Sequence, residues 1–249
     1  MKISDQIKSV QKVRSQKTVN IEVYRGESMI DGSPIVGLLQ LTPSNNGKIG
    51  NMAQLWIMAD GIEPHHAIKT GQDKAVCGEC VHRPSNGGSC YVMTHHAPLS
   101  IYRSWKRGNY KAVDYNLRGY ALRLGAYGDP VAIPEHIIKS LVQSADSHTG
   151  YTHQWKRPDL RWGLKYMQAS VDSLYEVEQL KAIAPNARYF RVTNQDHLLD
   201  REIVCPSVTK GRSCADCLLC DGVTANVVIP VHGSKANRFK ENAINVVNV

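Results

Sequence analysis

Seven cysteines stand in two tight groups in this chain, and the later group constrains the fold most. It reads Cys205-Pro206, seven residues, then Cys214-Ala215-Asp216-Cys217-Leu218-Leu219-Cys220. Two successive gaps of two residues place three thiolates on one short loop, close enough to grip the corners of a single inorganic cage, with Cys205 as a more distant fourth ligand. Thiolates are soft, charge-donating ligands, so four of them suit a [4Fe–4S] cluster. Four cysteines also build a tetrahedral zinc site, usually as two separate pairs, and that reading stays open. The earlier group, Cys77-Gly78-Glu79-Cys80 followed by Cys90-Tyr91, supplies three thiolates. Such a set leaves one iron of a cluster open to substrate, water or a chelating cofactor. With His82, His95 or His96 as a fourth ligand it would hold zinc instead. Gly78, Gly87 and Gly88 let the backbone turn sharply there. A further partition lends Cys205 to the first three, so the number of clusters is one or two.

The odd cysteine count fits disulfide pairing poorly, and residues 1–17 mix Lys and Arg with apolar residues instead of forming a greasy block. Together these features predict a reducing, cytoplasmic setting without a secretion signal. No apolar run approaches the roughly 18 residues of a membrane-spanning helix. Charged residues make up 21% of the 249 positions, an ordinary share that excludes a disordered or coiled-coil chain.

One domain over residues 1–249 is expected, with cysteine-rich insertions at about 77–96 and 205–222. Ile3, Ile7, Val10 and Val13 make a helical stripe. Residues 18–24, 35–41 and 54–58 read as strands, with the turn-rich loop 42–51 between the last two. Further strand-like segments follow at 120–127, 150–155, 165–171, 187–192, 202–205 and 226–231. Pro134 opens a helix with Ile137, Ile138, Leu141, Val142 and Ala145 on one face. Ser173 and Glu176 make a capping box before Val177, Leu180 and Ile183. Strand–helix alternation argues for parallel βα units and an α/β fold. The preferred architecture is a complete or partial parallel (β/α) barrel of TIM-barrel type, and an open doubly wound sheet is the alternative. Asp129, His153, Ser170 with Asp172, Thr193 with Asn194, Cys205 and His232 stand at strand ends, where a barrel gathers its active site.

Taken together, the early C-x2-C and Cys90-Tyr91 segment and the late Cys205-Pro206…Cys220-Asp221-Gly222 segment resemble a family of phage- and plasmid-encoded cysteine-rich iron–sulfur proteins, over most of residues 77–233. The late group is also similar to the bacterial ferredoxin ligand run, with the Cys-Pro preceding the triplet instead of following it. More remotely, Gly125-Ala126-Tyr127-Gly128-Asp129-Pro130 resembles the glycine-rich strand end of radical S-adenosylmethionine enzymes, and Ser170-Val171-Asp172-Ser173 a later strand end. That likeness implies S-adenosylmethionine as a cofactor, with Gly128 and Asp129 at its amino group and Ser170 and Asp172 at its ribose or methionine part. The family's C-x3-C-x2-C is replaced here by C-x2-C-x9-C. Read without the likeness, Gly128-Asp129-Pro130 is a turn and Asp172-Ser173 a helix start.

The net charge of +8 concentrates in two stretches, residues 103–111 and 155–162, where Lys and Arg alternate with Trp and Tyr. This pattern suits a nucleic-acid surface, phosphates on the cations and bases on the rings. It equally suits a solvated face with half-buried tryptophans. His153 and His232 are candidates for proton donors or metal ligands, or structural histidines. No serine nucleophile elbow, phosphate-binding loop or paired-His protease motif is present. The chain is thus expected to be an iron–sulfur protein with redox or radical chemistry, an electron donor and an anionic or nucleic-acid substrate. The alternative is a non-enzymatic nucleic-acid-binding protein with structural zinc or iron–sulfur sites.

Overall fold

Hairpin-length connections force the first strands to run antiparallel, because a parallel crossover needs a dozen or more residues. A computed structural model describes residues 20–42, 46–195 and 197–239, and the stripe of Ile3 to Val13 lies outside them. β1 (Asn20–Glu27), β2 (Pro34–Gln40) and β3 (Met52–Ala59) form a meander. Every residue of β3 is buried, as expected for a central strand covered on both faces. The chain then makes α1 (Pro64–Thr70), the single turn α2 (Lys74–Cys77), and α3 (Ala97–Lys106). It returns through β4 (Tyr110–Lys111) to β5 (Ala121–Tyr127), which runs parallel to β3. After α4 (Glu135–Ser144) comes β6 (Ser147–Thr149), completing a six-stranded mixed sheet in the order β4-β1-β2-β3-β5-β6.

The second sheet is all parallel. β7 (Tyr151–Thr152), β8 (Gln168–Val171), β9 (Tyr189–Thr193), β10 (Glu202–Val204) and β11 (Asn226–Pro230) lie in the order β10-β11-β9-β8-β7. α5 (Leu174–Ile183) crosses from β8 to β9. The remaining helical turns are α6 (Pro206–Thr209) and α7 (Cys214–Cys217).

The expected parallel barrel is therefore corrected to two open sheets. The antiparallel meander replaces what would be the opening βα units, and no closed barrel forms among the described residues: β4 ends one sheet and β10 the other. The sheets meet at Gly150, the single residue between β6 and β7, so one extended run serves both. Its N–H donates to the Cys220 carbonyl (2.9 Å), and its carbonyl accepts from Gln168 N (3.0 Å).

The larger core fills the space around the mixed sheet, with Leu38, Leu55, Ile57, Leu122, Ile138 and Leu141 fully buried. A smaller one gathers Trp155, Ala169, Val171, Val177, Leu180 and Tyr189 beneath the parallel sheet. Ser173 caps α5 as expected, its Oγ accepting from Glu176 N at 3.2 Å. The return bond differs, since Glu176 Oε2 accepts from Asp172 N (2.7 Å). Ile183, expected in the buried stripe, is exposed at the last turn of α5. Among the described residues no helix is long and apolar enough to cross a membrane.

Candidate metal centres

The early cysteine loop is shaped by a buried ion pair. Asp73, fully buried, accepts from Arg83 Nε at 2.9 Å and Nη2 at 2.8 Å. The same guanidinium donates to the carbonyls of Gly78 (3.2 Å) and Gly71 (3.0 Å), so one side chain staples both ends of α2. Cys80 N then reaches the Cys77 carbonyl, and Cys90 N the His82 carbonyl (2.9 Å), folding Cys90 back onto the C-x2-C turn. Gly78 has φ +52, and a Cβ there would lie 2.4 Å from the Gln154 amide. A Cβ on Gly88 would lie 2.4 Å from the His82 backbone. Burial pushes the Cys77 thiol well up, and Cys80 and Cys90 push it further. Burial likewise raises Cys90, against a backbone hydrogen bond at Val92 and with help from Cys80. These three thiols therefore form one interacting group.

The late group is built by loops after the edge strand. Cys205 follows β10, its N–H donating to the Val228 carbonyl (2.8 Å). Ser213 caps α7, and Leu218 at φ +56 ends it, turning the chain back so that Cys220 comes beside Gly150. Cys214 N and Ala215 N bond the carbonyls of Lys48 (2.9 Å) and Ile49 (3.0 Å), tying this loop to the approach to β3. Burial raises the Cys220 thiol, followed by Cys205, Cys214 and Cys217. Cys214 rises by burial and by Cys205 and Cys217, while the Arg123 charge opposes the shift. All seven cysteines are free and half-buried. Among the described residues no three donor atoms that include a cysteine sulfur lie within 4.8 Å of one another.

Arg123, on β5, stands between the groups. Its Nη2 lies 3.4 Å from the hydroxyls of both Tyr91 and Tyr151. Tyr91 stacks on His232 (5.4 Å between centroids) and Tyr151 on Phe190 (4.8 Å).

The strand-end residues converge only in part. Asp129 turns inward, its Oδ2 accepting from His153 N (2.8 Å), Thr152 Oγ1 (3.0 Å) and Gln154 Nε2 (3.4 Å), and burial raises its pKa against these bonds. Gly128 packs on β3, where a Cβ would lie 2.7 Å from the Ile57 carbonyl. Ser170 and Asp172 line a small cavity of about 80 Å³ with His153, Glu79, Lys156 and Glu176. His82 Nε2 meets Asp172 Oδ1 at 2.7 Å, and its Nδ1 meets Ser89 Oγ at 2.7 Å. His153 Nε2 lies 3.4 Å from Asp172 Oδ2 and 3.6 Å from Cys80 Sγ. Burial opposes ionisation of Asp172, but hydrogen bonding to His153 and His82 outweighs it and holds the carboxyl below the usual range. Burial also opposes charge on His153, yet Cys80 and Asp172 raise it well above an ordinary histidine.

Sequence reading missed Asp73, Arg83, Arg123 and Tyr151, which carry no periodicity or motif that would single them out. It also gave the basic stretches more freedom than they have. Trp105, Tyr110 and Trp155 are buried, and Arg103 pairs with Glu63, Lys106 with Asp60, Lys156 with Glu176 and Arg157 with Asp159. His95 and His96 face each other at the exposed start of α3. No protein-family model, curated protein or solved structure matches this chain.

Proposed function

We propose that the chain is a cytosolic iron–sulfur protein with two centres. Cys205, Cys214, Cys217 and Cys220 hold a [4Fe–4S] cluster, and Cys77, Cys80 and Cys90 hold a second centre with an open corner toward the cavity of Ser170 and Asp172. The observation that carries this reading is the set of seven free thiols on two loops, four on one and three on the other. A metal bound there would release the thiol protons and offset the thiolate charge.

The donor set fits iron better than a single zinc ion. Three cysteines at two-residue gaps suit a cluster, whereas zinc sites of four cysteines usually split as two pairs. A cubane spreads its ligands over a larger cage. Bound clusters of this kind supply one-electron transfer. The chain's own residues would then do the rest. Arg123 offsets negative charge beside the four-thiolate group, and Arg83 with Asp73 fixes the three-thiolate loop. An anionic substrate at the cavity would take the place of Glu176 beside Lys156, and an external donor would supply electrons. In the specific form that the radical S-adenosylmethionine likeness suggests, that cofactor would chelate the open corner with Ser170 and Asp172 nearby. The nucleic-acid reading has less support, since Trp105, Tyr110 and Trp155 are buried and several of its cations are paired.

Anaerobic purification followed by iron, sulfide and zinc assays tests the proposal. Brown protein with about four iron and four sulfide per cluster is expected; colourless protein with stoichiometric zinc overturns it. Cys217→Ser and Cys80→Ser should each remove one centre and spare the other. Adding S-adenosylmethionine to reduced protein should alter the electron paramagnetic signal of the centre lost in Cys80→Ser, and an unchanged signal excludes that specific form.

A further inference from the structure

We propose that His82, His153 and Asp172 form a mononuclear site for a divalent transition metal of the zinc or ferrous class, distinct from either cysteine group. A donor atom from each of the three lies within 4.8 Å of the others. They come from three separate parts of the fold, the early cysteine loop, the end of β7 and the end of β8, so no local turn requires them to meet. Two imidazoles and one carboxylate with room beside them are a set that such metals use, whereas magnesium and calcium favour oxygen ligands.

Three further observations point the donors at an ion. Asp172 Oδ2 is buried and makes no hydrogen bond of good geometry, with His153 Nε2 standing 3.4 Å away, and the Asp172 side chain is only 5% exposed. An acceptor so placed costs free energy unless a cation or a donor meets it. Second, His153 Nε2 lies 3.4 Å from that oxygen, close to the edge of about 3.3 Å that N and O ligands span around tetrahedral zinc. Third, His82 has the outer support of a metal ligand. Its Nδ1 is held by Ser89 Oγ at 2.7 Å, which orients the ring and leaves Nε2 facing Asp172. Metal binding would turn the carboxylate from its contact with His82 onto the ion and displace the imidazole proton. Cys80 Sγ, 3.6 Å from His153 Nε2, borders the site. The three N and O ligands do not depend on it, so the proposal stands whether or not Cys80 serves a cluster.

The test uses full-length protein carrying Cys77→Ser and Cys90→Ser, which breaks the three-thiolate set, with Co(II) as the probe. Iron and sulfide are assayed in the same samples. One Co(II) with visible d–d absorption is expected to bind. His153→Ala and the near-isosteric Asp172→Asn should weaken binding by more than tenfold, and Ser89→Ala, acting through His82, by about 10- to 100-fold. Circular dichroism separates unfolded variants, and His82→Gln provides a second ligand loss if His153→Ala fails to fold. Co(II) uptake that is absent in the double-serine protein, or that is equal in Asp172→Asn, overturns the proposal. Wild-type protein without iron or sulfide, with Co(II) binding retained in the double-serine protein, would sink the cluster reading alone; iron and sulfide held at the late group with no Co(II) uptake would sink this site alone.

Discussion

Arg83 illustrates how much of the early loop rests on single side chains. Its guanidinium is 7% exposed and bonded to a fully buried carboxylate. Replacing it by Met leaves Asp73 charged with Ser85 Oγ (3.3 Å) in place of an ion pair, which should cost about 3–5 kcal/mol. Lys keeps the charge but not the fork that reaches Asp73, Gly71 and Gly78 together. We expect Arg83→Met to unfold at markedly lower urea, with Arg83→Lys intermediate. Gly78→Ala is a second residue-scale case. The left-handed φ and the Gln154 amide both oppose a methyl group, so about 1–3 kcal/mol of strain is expected. Gln154 also donates to the Cys77 carbonyl (3.1 Å), so metal content should fall with stability. Metal retained at full wild-type level in Gly78→Ala would show that the loop tolerates the shift.

At the scale of elements, the ion pair between Arg191 of β9 and Glu202 of β10 holds the edge strand to its sheet at 2.6 Å, with both side chains fully buried. Burial tends to raise the Glu202 pKa, but bonding to Arg191 and to Leu199 N overrides this and lowers it below its ordinary 4.5. A depressed carboxylate contributes stability that is complete above the unfolded pKa and is lost as pH falls through the folded one. Urea midpoints should therefore decline below about pH 4.5 in the wild type. Glu202→Gln should be less stable at pH 7 and lack this part of the decline; parallel pH curves for the two proteins would refute it.

Strands and capping were legible because alternation and Ser173–Glu176 are local signals. β6 and β4 were not, since two or three residues carry too little pattern. α3 was masked by the same Trp105 that suggested a nucleic-acid face, although its ring packs inward. The cysteine partition could be posed from spacing but not decided, since the folding back of Cys90 depends on Arg83 and on glycines whose contacts are tertiary. The meeting of His82 with Asp172, 90 residues later, had no sequence signal at all.

For the whole molecule, the seam at Gly150 decides whether the two sheets behave as one. Its ideal Cβ would lie 2.9 Å from Leu124 Cβ and 3.4 Å from Met167 Cβ. Gly150→Val overpacks that junction, a change that typically costs about 1–3 kcal/mol. Calorimetry should show one cooperative transition for the wild type and a lower, broader one for the variant. An unchanged melting profile would mean that the sheets are joined elsewhere. Parallel order in the second sheet tempted the expectation of a barrel. What sequence rhythm could not convey is that β1–β3 are paired by hairpins, which commits that half to an open edge.

The bonds from Cys214 and Ala215 to the carbonyls of Lys48 and Ile49 join positions about 165 residues apart. During synthesis the entry to β3 emerges from the ribosome long before its clasp exists. Until residues 214 and 215 are made, this fully buried strand is anchored only along its flanks. Premature termination upstream of residue 214 would thus leave a nascent product whose segment at Lys48 and Ile49 lacks these two bonds.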